Sequence, residues 1–298
     1  MDGGLTITFI SVAMFVGSFI LGFIPLLFRL TEKSLQFVSI LGAGLLCGTA
    51  LSIVIPEGVG LLEKSWSASS SSSVLLSQNA SEKNATSTEG GSPPQFFIGV
   101  ALTFGFTLMF VVDQIGNQTN SAGITATLGL VIHAAADGFA LGAAVATGQV
   151  SVQVIVFFAV ILHKAPAAFG LVSFLMHAGL DRKYIMGHLL AFSAAAPIVA
   201  ITTYFILHAS GSSSQSQLSA TGVGMLFSAG TFLYVATVHI LPEISSRTGQ
   251  SSSDLQQNTE HEQPHHHHRQ RHLGLLESLT FILGVGLPMV LALGLQDD

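Results

Sequence analysis

Long apolar runs restrict the fold of this sequence more than any other feature. Eight runs are each long enough to cross the hydrocarbon core of a bilayer, which takes about 20 residues in a helix. Their approximate limits are 5–28, 35–62, 96–116, 122–147, 152–177, 187–208, 218–241 and 273–295. Only helices and closed β-barrels span membranes, because lipid cannot pair with free backbone groups. The sequence therefore predicts an all-α membrane helical bundle of eight transmembrane helices, with residues 1–298 forming a single transmembrane domain.

The composition agrees with a membrane location and excludes several classes of soluble protein. Charged residues make up 9% of the chain, whereas a soluble domain typically carries about 25%. The ten Lys and Arg residues form no basic stripe, so no nucleic-acid partner is expected. The single cysteine, Cys47, excludes a disulfide within the chain. The lipid bilayer is therefore the first expected partner.

Two long polar segments interrupt the series of predicted helices. Residues 63–95 form a serine-rich loop, and residues 245–272 form a histidine-rich loop. Neither has enough apolar surface to offset the entropy of ordering, so both are predicted to be disordered. Because neutral histidine binds metals, the histidine-rich loop is either a metal-binding segment or a solvated linker. Its candidate ligands are His261, His265, His266, His267, His268 and His272.

Basic residues near the ends of the spans predict the orientation of the chain, because cytoplasmic loops carry the excess of Lys and Arg. With the N-terminus outside, the cytoplasmic loops hold seven basic residues and the opposite side holds two, Lys64 and Lys83. The N-glycosylation sequons at Asn79 and Asn84 agree, since both fall in the serine-rich loop. We therefore expect a glycoprotein whose serine-rich loop is lumenal or extracellular and whose histidine-rich loop is cytoplasmic.

Two segments of the chain have similar sequences. Residues 42–57 (GAGLLCGTALSIVIPE) and 228–243 (SAGTFLYVATVHILPE) share an Ala-Gly pair, a central alanine and a final Pro-Glu. In the eight-span arrangement these segments run in opposite directions across the membrane. Inverted repeats of this kind are typical of secondary transporters, so we predict an inverted repeat.

Ionisable residues lie in the middle of the fourth and fifth spans. His133 and Asp137 are four residues apart, so they share one helix face and lie about 6 Å apart along the axis. His163 lies at a similar depth in the next span. Inserting a charged side chain at this depth of the membrane costs a free energy of roughly 2.5–3.5 kcal/mol, so such a group is expected to pair with another or to hold an ion. Two imidazoles and a carboxylate suit zinc, which makes the three residues candidate metal ligands. The alternative is a buried polar network that only fixes the helix register.

The neighbours of His163 affect this prediction. Lys164 places an ammonium group beside a divalent-ion site, and it repels the ion unless it points aside or pairs with a carboxylate. Pro166 cannot donate a hydrogen bond to the carbonyl of Leu162, so the helix is expected to kink or open beside His163.

Ionisable residues near the ends of other spans are secondary candidates. They either gather cations at the mouths of a pathway or are ordinary interfacial charges. His239 and Glu243 are four residues apart and form a candidate binding pair at the cytoplasmic mouth. The secondary metal candidates are Glu57, Asp113, His239 and Glu243.

The motifs around these ligands resemble the ZIP (Zrt/Irt-like) family of zinc transporters. HAAADG in the fourth span resembles the family pattern H-N-x-x-[DE]-G, with Ala134 in place of the asparagine. HKAPAAFG in the fifth span resembles H-E-x-P-H-E, with Lys164, Ala167 and Ala168 at the positions of Glu, His and Glu. The phrases LGAGLLCGTAL, DQIGN and FSAGTFLYVATVH extend the resemblance over nearly the whole chain.

The resemblance implies a transporter that imports zinc, or another divalent metal, into the cytosol from outside the cell or from an organelle lumen. Zn²⁺ is then the transported substrate. The resemblance also implies a homodimer of the Golgi or plasma membrane. It further implies an elevator-like motion of spans one, four, five and six against the others.

The departures from the family pattern imply a single transported ion. Some family members hold two metals side by side, but the ligands of the second site are missing here. Lys164 stands at that place as a blocker of the second site. One ion per cycle is therefore expected, held by His133, Asp137 and His163.

Two other classes of function are less consistent with the sequence. An intramembrane metalloenzyme needs a general base beside the metal-bound water, as the glutamate of HExxH supplies, and the sequence has no HExxH. The alternative function is a membrane steroid (androgen) receptor coupled to G proteins, alone or in addition to zinc transport. Eight spans do not match a seven-helix receptor, and no residue pattern indicates a steroid pocket. We therefore expect a transporter and not an enzyme.

Overall fold

The computed structural model describes residues 3–28, 31–78, 94–118, 122–177, 179–240 and 275–296. These residues form nine α-helices and two π-helical segments, and they contain no strand. The helices are α1 (Gly3–Leu27), α2 (Glu32–Thr49), α3 (Ile55–Gln78), α4 (Pro94–Gln118), α5 (Ala122–Ala146), α6 (Val150–His177), α7 (Arg182–Ala209), α8 (Ser214–Tyr234) and α9 (Leu275–Gln296). The π-helical segments Ala50–Val54 and Val235–Ile240 follow α2 and α8.

Eight helical spans in the described part of the chain are long and apolar enough to cross a membrane. The helices α2 and α3 join through Ala50–Val54 into one continuous span, Gln36–Ser69, and every other helix makes one span of its own. Large apolar side chains are exposed along α1, α4 and α9, where lipid rather than water can cover them. The predicted all-α membrane bundle of eight spans is confirmed.

The helix α3 extends further than the sequence predicts. The second span is predicted to end at residue 62, but α3 ends at Gln78, so the beginning of the serine-rich loop is helical. The hydroxyl of Ser65 donates to the carbonyl of Leu62 at 2.8 Å, and the side chain of Gln215 donates to the carbonyl of Ser65 at 2.5 Å. The residues up to Gln78 are therefore helical in the structure, and residues 79–93 lie outside the described part of the chain, so their disorder stays a prediction.

The helices can be divided into two groups that match the elevator arrangement implied by the family resemblance. The first helix group contains α1, α5, α6 and α7, and the second helix group contains α2, α3, α4, α8 and α9, with further packing of α5 on α8 and of α6 on α2 between them. Within each group, backbones approach closely at glycines. A Cβ at Gly138 of α5 would overlap the carbonyl oxygen of Ala196 of α7, and a Cβ at Gly230 of α8 would overlap that of Leu102 of α4. Small residues allow this packing of membrane helices. Between the groups, α5 also packs closely on a glycine of α8: a Cβ at Gly224 would overlap the ring of Phe139 and would lie 3.3 Å from Cα of Ala140.

The substitution Gly138→Ala is expected to destabilise the first helix group by about 1–3 kcal/mol, because the added methyl forces α5 away from the backbone of α7. Thermal unfolding of the purified protein in detergent would measure the change. Gly187→Ala on α7 is the matched control, because nothing lies within 4 Å of a Cβ there. An equal unfolding temperature for both variants would contradict the close packing of α5 on α7.

The two π-helical segments fall at matching places of the two similar sequences. Ala50 begins the first segment, and its counterpart Ala236 is the second residue of the other. π-helical turns occur mostly at functional sites and leave the helix less tightly wound. The shared irregularity is in keeping with the inverted repeat, which remains a prediction.

Candidate metal centre

Three ionisable side chains from two spans meet at one point. The helix α5 places His133 and Asp137 one turn apart on the same face, and α6 places His163 beside them. The Nε2 atom of His163 lies 2.9 Å from Oδ2 of Asp137, and Nε2 of His133 lies 3.3 Å from the same oxygen. One ligand atom from each residue lies within 4.8 Å of the other two. The structure thus brings together the three ligands that the sequence predicts.

The three side chains are shielded from solvent. Their exposed fractions are 1% for His133, 2% for Asp137 and 3% for His163. Phe232 of α8 covers both imidazoles, with ring centroids 4.9 Å from His133 and 5.0 Å from His163. A buried carboxylate is very costly unless it is hydrogen-bonded or paired, and Oδ2 of Asp137 lies at hydrogen-bond distance from Nε2 of His163.

Two hydroxyl groups of α8 complete the surroundings of the ligands. The Oγ1 atom of Thr231 lies 2.9 Å from Nδ1 of His133, and the hydroxyl of Ser228 donates to Oδ1 of Asp137. Both hydroxyl residues are buried. Both lie in the phrase FSAGTFLYVATVH, and neither is among the predicted site residues. Their spacing of three residues puts both hydroxyls on one face of an apolar helix. This spacing is a sequence signal from which a shared role could have been predicted.

Lys164 lies beside this group but points towards α7. Its Nζ lies 4.4 Å from the centroid of the Phe192 ring, which is a cation–π distance. The side chain is 2% exposed, and Nζ has no hydrogen-bond partner among the described residues. An ammonium has no lone pair, so Lys164 occupies space beside the three ligands without adding a donor atom for a metal.

The helix α6 continues through Pro166. It runs from Val150 to His177 as one helix, so the chain does not open beside His163. Neighbouring helices commonly allow proline inside membrane helices. Here α2 lies against the proline, and a Cβ at Gly42 would lie 3.4 Å from the Pro166 ring.

Among the secondary candidates, the structure describes the side chains of Asp113 and Glu57, and neither belongs to the group of His133, Asp137 and His163. Asp113 is buried on α4 and accepts a hydrogen bond of 2.8 Å from the hydroxyl of Tyr234. Glu57 is partly exposed at the start of α3. Other predicted site residues lie outside the residues or side chains that the structure describes: Asn79, Asn84, His239, Glu243 and the histidines of the histidine-rich loop.

A cavity of about 420 Å³ lies next to the three ligands, between α1, α2, α4, α5 and α6. Its lining is mostly apolar, and its polar side chains are Gln36, Ser39, Asp113 and Ser173. Phe232 lines the cavity and contacts both imidazoles, whereas the three ligand residues do not line it. Phe232 therefore forms the wall between the cavity and the ligands.

The donor set indicates the kind of ion that fits. Two imidazole nitrogens and one carboxylate oxygen suit Zn²⁺, and three protein ligands leave the fourth tetrahedral position open. An open position is typical of sites that exchange a ligand rather than of closed structural sites.

Comparison with known protein families agrees with the motifs and the geometry. The family model described as "ZIP Zinc transporter" matches residues 4–121 and 114–292, which together cover nearly the whole chain. The chain belongs to the ZIP family of zinc transporters. The resemblance that rests on HAAADG and HKAPAAFG is thereby confirmed.

This ZIP chain is similar over its full length to curated zinc transporters. It is 46% identical to Zinc transporter ZIP9-B of Xenopus laevis, over 99% of this chain and 100% of the relative. It is 45% identical to Zinc transporter ZIP9 of Micropogonias undulatus, over 99% of each chain. The ZIP9 of Macaca fascicularis is 53% identical over 57% of this chain and 67% of its own.

These relatives bear on the function classes considered from the sequence. The motif phrases look most like the ninth animal member of the family, and the names of the relatives agree. The family and the relatives are described as transporters, which favours transport over catalysis. Nothing in the comparisons favours the steroid-receptor alternative.

Proposed function

We propose that this ZIP transporter imports zinc into the cytosol from outside the cell or from an organelle lumen. The observation that carries the proposal is the buried group of His133, Asp137 and His163 within a membrane bundle. These residues would bind Zn²⁺ as the transported substrate, and the carboxylate of Asp137 would offset part of its charge. The open position lets water complete the shell and lets the ion leave.

An elevator-like motion fits the packing of the helices. The three ligands belong to the first helix group, whereas Ser228, Thr231 and Phe232 belong to the second. Close backbone contacts at Gly138 and Gly230 hold helices of the same group together, and the side chain of Phe139 lies at the boundary with α8. Movement of the first helix group along α8 would carry the ion across the membrane while each group keeps its internal packing.

The cavity is the proposed exit route. It lies at the end of the bundle that holds Gln36 of α2 and Phe174 of α6, which is the cytoplasmic end in the predicted orientation. Asp113 on its wall supplies a carboxylate that would attract a leaving cation. Phe232 separates the ligands from this route, so its ring has to move before the ion enters the cavity.

The substitution Phe232→Ala is expected to speed zinc release by about tenfold, which corresponds to a barrier lower by about 1.4 kcal/mol. Stopped-flow mixing of zinc-loaded protein with a chelating dye would measure the rate. Phe227→Ala is the matched control, because Phe227 lies on the same helix and packs against Phe104 instead. Equal release rates for the unmutated protein and the Phe232 variant would contradict this route.

The orientation of the chain is also a proposal, and it rests on the basic residues and the two sequons. Replacing Asn79 and Asn84 together by glutamine is expected to remove all N-linked glycan, because both lie on the lumenal or extracellular side. Mobility before and after glycosidase treatment would test this. A third sequon, Asn117-Gln118-Thr119, follows the third span and faces the cytoplasm in this orientation, so a glycan at Asn117 would overturn it.

The remaining features of the proposed transporter follow from the family resemblance. We propose one ion per cycle, with Lys164 excluding a second ion, in a homodimer of the Golgi or plasma membrane. Mouth residues would collect cations, and the histidine-rich loop would bind metal on the cytoplasmic side. The proposed mouth residues are Glu57, Asp113, His239 and Glu243.

Metal flux into proteoliposomes tests the proposed function. The purified full-length protein is reconstituted with a metal-sensing dye inside the vesicles, and Zn²⁺, Cd²⁺, Mn²⁺ and Fe²⁺ are compared. We expect zinc flux well above that of vesicles without protein. Folded protein that moves none of these ions would refute the proposal.

A further inference from the structure

Two hydroxyl groups of α8 determine where the ligand atoms of the candidate site point. The hydroxyl of Thr231 donates to the carbonyl of Ser228 at 2.6 Å, and its oxygen lies 2.9 Å from Nδ1 of His133. The hydroxyl of Ser228 donates to Oδ1 of Asp137, and its oxygen lies 3.4 Å from Nδ1 of His133. Thr231 and Ser228 are 0% and 2% exposed, so water does not compete for these bonds.

Counting protons assigns the tautomer of His133. A threonine hydroxyl has one proton, and Thr231 gives it to the carbonyl of Ser228. With that proton on the carbonyl of Ser228, the Thr231 oxygen is the acceptor of the bond from the imidazole, and this arrangement places the proton of neutral His133 on Nδ1. The lone pair is then on Nε2, which lies 3.3 Å from Oδ2 of Asp137 and has no hydrogen-bond partner among the described residues. The same Oδ2 lies 2.9 Å from Nε2 of His163, so the lone pair of His133 faces the point where the carboxylate and the second imidazole meet.

The hydroxyl proton of Ser228 likewise determines how the carboxylate of Asp137 is oriented. The single proton of the Ser228 hydroxyl goes to Oδ1, which leaves Oδ2 directed at the imidazoles of His133 and His163. Partners behind the ligands of a metal commonly fix the tautomer of a histidine and the rotation of a carboxylate in this way.

We propose that Thr231 and Ser228 are positioning residues of the zinc site: Thr231 holds His133 in the tautomer that offers Nε2 to the ion, and Ser228 turns Oδ2 of Asp137 towards it. This inference rests on the proposed function. Neither hydroxyl touches the ion, and both act through a ligand. Because both residues lie on α8, the second helix group prepares ligands that belong to the first.

Zinc affinity of purified full-length variants tests the inference, with competition against a chromophoric chelator as the measurement. Thr231→Val keeps the shape of the side chain and removes the hydroxyl, so we expect binding weaker by about 10–100-fold. Thr231→Ser keeps the hydroxyl and is expected to bind like the unmutated protein. Ser228→Ala is expected to weaken binding to a similar extent as Thr231→Val. Thr221→Val is the matched control, since the hydroxyl of this buried threonine of α8 donates to the carbonyl of Gln217 in its own helix, at 2.8 Å.

The outcomes separate this inference from the proposed site itself. Zinc binding that persists in His133→Ala and Asp137→Ala would refute the site. Loss of binding in those two variants, together with unchanged affinity in Thr231→Val and Ser228→Ala, would refute only the positioning role. If Thr231→Val and Thr231→Ser weaken zinc binding equally, the cause is side-chain packing, and this result would also overturn the positioning role. If Thr231→Val does not fold, the zinc affinities of Ser228→Ala and Thr221→Val are compared instead. Weaker binding in Ser228→Ala alone supports the positioning role, and equal affinity in the two variants overturns it.

Discussion

Replacing Asp137 by asparagine is expected to lower zinc flux by at least about 100-fold. Partners behind metal ligands typically contribute about 10–100-fold to affinity, and removal of a ligand should cost more. The amide has nearly the same shape as the carboxylate but carries no charge, and Asp137 supplies the negative charge among the three predicted ligands. A divalent ion would then enter a buried site without a counter-charge, which is very costly. We expect His133→Ala to have a comparable effect, because it removes one of the two imidazoles.

Proteoliposome flux and equilibrium zinc binding together measure this loss. Asp181→Asn and His208→Ala are matched controls, because both residues are exposed near the ends of α7. Size-exclusion profiles and unfolding temperatures would exclude a general loss of structure. Zinc flux near the unmutated value in folded Asp137→Asn would mean that the ion does not pass through this site.

Replacing Lys164 by glutamate is expected to raise the bound zinc from one ion to two per protomer. The ammonium of Lys164 lies in a buried space beside the site, where it repels a cation and offers no lone pair. A carboxylate there would add a donor atom and a negative charge next to His163. Two buried carboxylates repel each other unless a cation lies close by, so the variant should also gain more thermal stability from zinc than the unmutated protein.

Metal analysis of purified, folded protein measures the stoichiometry. Lys164→Met is the matched control, because it removes the charge, keeps a long apolar side chain and adds no carboxylate. We expect one ion in that variant. Two ions per protomer in the unmutated protein would disprove the single-ion site, and one ion in Lys164→Glu would disprove the blocking role of Lys164.

Local patterns in the sequence predict much of this architecture. Each span is a continuous apolar run, and lipid leaves a helix as the only backbone arrangement for such a run outside a closed barrel. The meeting of His133 and Asp137 follows from their spacing of four residues on one helix. The depth of His163 in the next span suggests that it joins them, and the structure places it there.

Other features depend on contacts that no local pattern contains. The serine content of residues 63–78 suggested a loop, but hydroxyls that bond within the helix and a side chain of α8 allow α3 to continue. The direction of Lys164 towards Phe192 follows from the position of α7 against α6. The opening expected at Pro166 is absent because packed neighbours tolerate a proline inside a membrane helix.

The sequence by itself determined that the chain has eight membrane-spanning helices and that histidine and aspartate, the predicted ligands, lie in the middle of two of them. Apolar length and helical spacing are properties of neighbouring residues, so they can be read without the fold. Only the tertiary structure decided that Ser228, Thr231 and Phe232 surround those ligands and that the helices form two groups. The rotation and depth of α8 against α5 set those contacts, and they result from the packing of all the helices together.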